Sequence, residues 1–267
     1  MGKIIDNRVK REEKKKGRMY SPLEQFKIIS FLRIFNNWID LSITNSTFYL
    51  FFTIFAILCL ISGSARNNKI ISNKINYIFE ILYTKVEEIV SDIIGKRFNN
   101  YIPFAISLFL FIAFSNLIGL VPYSFTTTSH IIITLTMSLT IIIGITIIGF
   151  MRHSLKFFTL FVPSGLNQGA TKFILPLIVF IEIISYLSRI ISLSIRLSAN
   201  LTSGHTLLKI LANFGLKYTF FYPYILLILP ITVLSLLFIL EIGVSLIQAY
   251  VFTLLTLTYI KDVELLH

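Results

Sequence analysis

Cysteine is almost missing from this chain: Cys59 is the only one in 267 residues. That excludes a disulfide framework and a Cys-based metal site. Charge is scarce as well, at 14% Asp, Glu, Lys and Arg, where a soluble domain carries roughly 25%. Acids are scarcest of all, because from Pro103 to Ile260 only Glu182 and Glu241 occur. Helix breakers are few, with seven Pro and twelve Gly. Hydrophobic residues make up 55% of the chain, 25 Phe and 12 Tyr among them, and the mean hydropathy is +0.80. This composition excludes an ordinary cytosolic enzyme and a disordered regulator. Lipid is the solvent for most of the chain.

The net charge of +11 is unevenly placed. Ten basic residues lie between Met1 and Asp40, seven of them from Arg8 to Arg18. A tail of this kind is a solvated arm or a contact with anionic lipid. Nucleic-acid binding needs a folded basic face, which the pattern does not provide. The first long apolar run starts only near Thr47, after a charged stretch, so no secretory signal peptide is expected.

A membrane-crossing helix needs about 20 apolar residues. Residues 45–64 form the first such span. Residues 71–98 follow, with Ile75, Ile78, Phe79, Leu82, Val86, Ile89, Val90 and Ile93 recurring at helical spacing between charged positions. This reads as an amphipathic helix that lies on the membrane or packs against partner helices. Upright spans are expected over 102–121 and 130–151. Basic residues gather in the loops 66–97 and 152–172, while the loop near Pro122 is uncharged. The positive-inside rule therefore places those two loops on the matrix or cytoplasmic side. The basic N-terminus then falls on the other side, against the rule, unless it is processed or translocated as a long tail.

The last hundred residues are different. Forty residues of helix are about 60 Å long, twice the roughly 30 Å hydrocarbon thickness. Residues 172–215 and 221–260 are both too long to stand upright, and each has few breakers. Two long, steeply tilted helices forming a hairpin are expected. The fold class is an all-α membrane protein with about five membrane-embedded helices plus one amphipathic surface helix. Its organisation is a basic extension over 1–40 and a single membrane domain over 41–267.

On a helical wheel, Glu182, Ser185, Arg189, Ser192, Arg196, Asn200 and Ser203 fall within about 80° of one another. Lipid does not tolerate such a stripe, since an Arg at mid-bilayer costs at least about 2.5–3.5 kcal/mol. The plainer reading of Arg189 is a structural ion pair with an acid such as Glu182. Arg196 lies about twenty residues from either end of its helix, too deep to snorkel. It cannot lose its proton, so any carboxylate that approaches it is driven to ionise. On the second arm Glu241, Ser245, Gln248 and Tyr259 also share one face. His205 faces away from Arg196, which lets it share a separate pocket with Glu241 or serve only as a packed core residue. An intramembrane Glu is a functional candidate by default.

The segment Ile195-Arg196-Leu197-Ser198-Ala199-Asn200-Leu201-Thr202-Ser203-Gly204-His205 resembles the Arg-Leu-x-Ala-Asn-x-x-x-Gly-His signature of subunit a of F-type ATP synthases, in its mitochondrial form. Pro122 to His130 resembles that family's Pro-x-x-Phe-Thr-x-Thr-Ser-His turn. Glu241 to Leu255 resembles its last helix, and Ser21 to Phe26 the start of the mature region in plant-type members. The resemblance covers about Ser21 to Leu266. It implies a proton-conducting stator of the membrane Fo part, with two offset half-channels serving the carboxylates of a rotating c-ring. Arg196 would be the essential charge facing the ring. His205 and Glu241 would form the inlet and Glu182 the outlet, with Asn200, Gln248, Ser185, Ser192, Ser245 and Tyr259 as polar lining. Arg189 stands where plant-type members have Arg and many animal ones have Gln. The exchanged His205 and Glu241 pair, relative to bacterial members, implies the mitochondrial inner membrane. Partners would be the c-ring, the peripheral stalk, other membrane subunits and lipid. No cofactor, metal, nucleic acid or ATP site of its own is implied.

Rival readings fare worse. Bis-histidine haem ligation needs paired His on facing helices, whereas His130 and His153 sit near span ends and His205 stands alone. No His-Glu-x-x-His or Gly-x-Ser-x-Gly motif supports an intramembrane hydrolase. A self-contained ion or proton transporter usually shows paired halves, and this chain is asymmetric. A structural subunit of another respiratory complex leaves Arg196 unexplained.

Overall fold

A computed structural model describes residues 25–32, 35–36, 39–40, 42–65, 74–121, 124–154, 157, 175–219 and 225–264. The basic tail before residue 25, the Pro122-Tyr123 pair, most of the basic loop after Ser154 and the hairpin turn at 220–224 lie outside the described residues. Among the described residues six α-helices dominate: α1 (Asn45–Ala65), α2 (Lys74–Ile93), α3 (Ile102–Leu120), α4 (Ile131–His153), α5 (Leu175–Thr219) and α6 (Ile225–Glu264). Five of them, all but α2, are long and apolar enough to cross a membrane. The fold is an all-α membrane protein.

Before α1 the chain makes two short antiparallel pairs that the sequence did not announce. Strand β1 (Ser30–Leu32) pairs with β4 (Ile43–Thr44), and β2 (Phe35–Asn36) with β3 (Ile39–Asp40). Pieces of two or three residues carry no readable period. Asn45 joins this ladder to α1: its Nδ2 donates to the Lys27 carbonyl at 3.2 Å, and its Oδ1 accepts from the amides of Ile29 and Ser46. The Thr44 amide donates to Thr47 Oγ1 at 3.0 Å, which closes off one of the donors a helix start leaves open.

The amphipathic helix is shorter than expected. It stops at Ile93 because Gly95 takes φ +98°, a left-handed conformation open to glycine, and a 310 turn (Lys96–Tyr101) leads into α3. Pro103 in the first turn of α3 removes a donor that would be unpaired there anyway. Val86, Val90 and Ile94 bury one face of the α2 region against α1, α3 and α6. Tyr77, Ile78 and Ile81 remain exposed beside Lys74 and Glu80, so one face packs on helices and another is left for an interface.

The hairpin arms are unbroken, at 45 and 40 residues, and α6 runs past Pro230 near its start. At 1.5 Å per residue α5 is about 68 Å long, so only a tilt of about 60° keeps it within a 30 Å hydrocarbon layer. The expected limit of α6 at residue 260 is corrected to Glu264, which adds Asp262 and Glu264 to the helix. Two apolar clusters hold the bundle. One joins α2, α3, α4 and α6 through Val90, Leu110, Ile145, Leu257 and Val263; the other joins α3, α5 and α6 through Ile112, Leu193, Leu197, Ala249 and Phe252. Leu193, Ser194, Leu197, Ser198 and Leu201 bury one face of α5, while Ile184, Ile191 and Ile195 stay exposed on another. An apolar face without protein cover is at home only in lipid or under a partner.

Candidate functional site

Arg196 sits midway along α5 on the exposed side, next to exposed Ser192, Ile195 and Ala199. Among the described residues no carboxylate lies within ion-pair distance of it. The buried positions Leu197, Ser198 and Leu201 turn the opposite face of this stretch into the bundle, which leaves the guanidinium aimed outward. A cation on the outer wall of a membrane bundle, with no anion beside it among the described residues, is suited to meeting one brought by a neighbour.

Arg189, seven residues earlier on the same stripe, is held quite differently. Its Nη2 lies 3.8 Å from Glu182 Oε1 and its Nη1 3.7 Å from Asp262 Oδ2. Its Cζ stands 5.2 Å from the centroid of the Tyr259 ring, a cation–π contact. Two helices therefore converge on this guanidinium, Glu182 from α5 itself and Tyr259 with Asp262 from α6. Ser185 and Ser192 lie on the same stripe, and Ser192 Oγ donates to the Arg189 carbonyl at 3.2 Å. Asp262 was missed from sequence because the helix was ended at residue 260. It falls within about 60° of Glu241 on the α6 wheel, so extending the wheel by one turn finds it.

Toward the other end of α5, Asn200 Nδ2 donates to Gln248 Oε1 at 2.9 Å and joins the two hairpin arms. Glu241 is buried at 7% exposure, and its carboxylate packs against the Cα of Gly204, where any Cβ would overlap it. Only glycine allows α6 to bring a carboxylate this close to α5. His205, the next residue, is half-buried with the Phe26 ring edge-on at 6.3 Å. Neither carboxylate oxygen of Glu241 nor Nε2 of His205 has a hydrogen-bond partner among the described residues, and all three are buried. Buried polar atoms are nearly always paired, so three orphans at one level of the hairpin are unusual. The two side chains are brought to the same level but are not bonded to each other.

A polar seam backs this end. Asn116, fully buried on α3, donates to the Ser245 carbonyl at 3.2 Å and accepts from Thr128 Oγ1 at 3.0 Å. Thr202 shares its hydroxyl hydrogen between the carbonyls of Ser198 and Ser129, at 2.7 and 3.2 Å. The Thr126–Ser129 turn is thereby buried in the bundle rather than looped into solvent, and Gly119 lets α3 close on Thr126. His130, just outside the α4 span, stacks on Phe125 at 5.3 Å, and burial pushes its imidazole below the ordinary 6.5. Asn116 and Thr128 escaped the sequence reading because their partners lie on other elements.

The profile of the family described as ATP synthase A chain matches residues 46–261. The chain belongs to the ATP synthase A chain family. It is similar to a protein named ATP synthase subunit a from Trichophyton rubrum, 45% identical over 253 residues that cover 92% of this chain and 97% of the relative. A protein of the same name from Chondrus crispus is 41% identical over 255 residues, covering 92% and 97%. One from Pelagibacter ubique (strain HTCC1062) is 42% identical over 229 residues, covering 86% and 91%. With five candidate spans, membership makes the chain a multi-pass membrane subunit with a part in the proton-conducting Fo sector.

Proposed function

We propose that this ATP synthase A chain family member is the stator wall of two half-channels that do not meet, with Arg196 between them. A proton enters at the Glu241 and His205 pocket, whose orphaned buried atoms are suited to passing a proton on. It neutralises a carboxylate of the c-ring, and the neutral acid then travels through lipid at low cost. When the ring carboxylate returns to Arg196, the fixed cation favours ionisation. The released proton leaves along Glu182, with Ser185, Ser192 and Tyr259 lining the way. Asn200 and Gln248 hold the arms together beside the inlet, which Ser245 lines.

Spacing along α5 supports this division. Glu182 precedes Arg196 by 14 residues, about 21 Å, and His205 follows it by nine, about 14 Å. Inlet and outlet therefore sit on opposite sides of the charge. Arg196 also repels a proton or hydronium that would cross directly, and each elementary charge that leaks across 100 mV dissipates about 2.3 kcal/mol. Arg189 is already paired with Glu182 and Asp262, so it braces the outlet rather than facing the ring. The resemblance of the Arg196 to His205 segment to mitochondrial members supports an inner-membrane home beside the c-ring, peripheral stalk and other membrane subunits.

The observation that carries this reading is an exposed Arg196 with no anion paired to it among the described residues. Arg196→Ala abolishes coupled proton transport and opens a passive leak, measured as ATP synthesis and proton flux in reconstituted vesicles. Normal ATP synthesis in that variant refutes the role.

A further inference from the structure

We propose that Glu264 is a positioning residue for the outlet, clamping the end of α6 so that Tyr259 and Asp262 stay on Arg189. The proposal rests on the outlet reading given above. Glu264 has a side chain only 2% exposed, yet it is a carboxylate at the last turn of a helix. Two groups satisfy it: the Tyr101 hydroxyl donates to one oxygen, and the Arg152 guanidinium pairs with the other. Tyr101 ends the 310 turn before α3, and Arg152 stands in the last turn of α4. One carboxylate thus ties three elements together.

The geometry of α6 links this clamp to Arg189. Glu264 lies two residues beyond Asp262, about 200° around the helix. Asp262 reaches Arg189 on α5, whereas Glu264 reaches the 310 turn before α3 and the end of α4 on the other side. The end of α6 is gripped from both sides, and a rotation that loosens one grip withdraws the other. A second observation fits: Gly149 leaves no room for a Cβ beside Val263 and Phe157, so α4 and α6 are in close contact one turn before Arg152. That contact brings Arg152 within reach of Glu264. A buried carboxylate that loses its partners is unstable where it stands, so releasing the clamp moves the helix end.

Glu264→Gln, Glu264→Asp and Tyr101→Phe in the full chain, within intact ATP synthase reconstituted in phosphatidylcholine vesicles, test the clamp. ATP-driven proton flux per assembled complex is recorded against pH on the outlet side. Glu264→Gln is expected to lower flux about tenfold, as misplacement of a working group does, and to shift the pH profile. Glu264→Asp restores at least half of it, and Tyr101→Phe has a smaller effect of the same kind. Adding Asp262→Asn to Glu264→Gln costs nothing further, because both act through Arg189. Unchanged flux and pH profile in Glu264→Gln overturn the proposal. A loss confined to the amount of assembled complex, with normal flux per complex in both Glu264→Asp and Tyr101→Phe, overturns it too. Glu182→Gln separates the two readings: if it leaves flux untouched the outlet assignment fails, and if it lowers flux while Glu264→Gln does not, only the clamp fails.

Discussion

Two arginines seven residues apart on one helix face have opposite surroundings, and their roles follow from the difference. Arg189 is neutralised by Glu182 and Asp262 and rests on Tyr259; Arg196 has no such company among the described residues. The wheel puts both on one stripe, and the pairing of Arg189 with Glu182 and the depth of Arg196 are legible there, but the second pairing acid, Asp262, comes from a helix 73 residues away in sequence. Gly204 gives a sharper test at the same scale. A Cβ there displaces the Glu241 carboxylate, which is a flexible chain end. Gly204→Ala gains up to about 1 kcal/mol in helix propensity yet is expected to slow proton flux about tenfold by misplacing Glu241. Thermal stability and ATP synthesis should therefore move in opposite directions. A variant with full synthesis detaches Glu241 from the inlet.

Among the elements, the long arms were the most legible, because forty residues with almost no Pro or Gly leave helix as the main option in lipid. Their ends were less so, since a terminal Asp and Glu look like a solvated tail until α3 and α4 are seen beside them. The two strand pairs before α1 are too short to leave a pattern. The turn before α4 was visible as a motif, but its burial was not. That turn carries a pH prediction. His130 is neutral at rest because burial disfavours its charged form. Its folded pKa lies below the unfolded one, so the unfolded chain binds the proton more tightly. The stabilising contribution is complete above pH 6.5 and is lost as pH falls below it. The protection of the Thr126–Ser129 amides against hydrogen exchange, taken relative to the intrinsic rate at each pH, should fall from pH 7.5 to 5.5, and His130→Phe should remove the difference. An equal loss of protection in the variant rules His130 out as the cause.

For the whole molecule, the uneven cover of the bundle is the main finding. The Arg196 side of α5 is open while its other side packs on α4 and α6. Cysteines at Ser192 and Ala199, which flank Arg196 and are exposed, should cross-link to the c subunits in the intact enzyme. Cysteines at Phe51 and Phe55, 73% and 63% exposed on α1, should not. Cross-links from Ala199 to a different subunit would move the rotor to another face. The sequence predicted this side from polarity alone, but only the packing of Leu193, Leu197 and Leu201 fixes which way it points.

The uncovered guanidinium also bears on how such a subunit is made. A lone copy released into the bilayer carries a charge that hydrocarbon resists by at least about 2.5–3.5 kcal/mol, and none of its own described acids relieves it. On the reading proposed above, the hairpin keeps an uncompensated charge until a rotor carboxylate lies alongside, and it is drawn toward the headgroups meanwhile. That reading favours insertion next to a ring already closed over insertion alone.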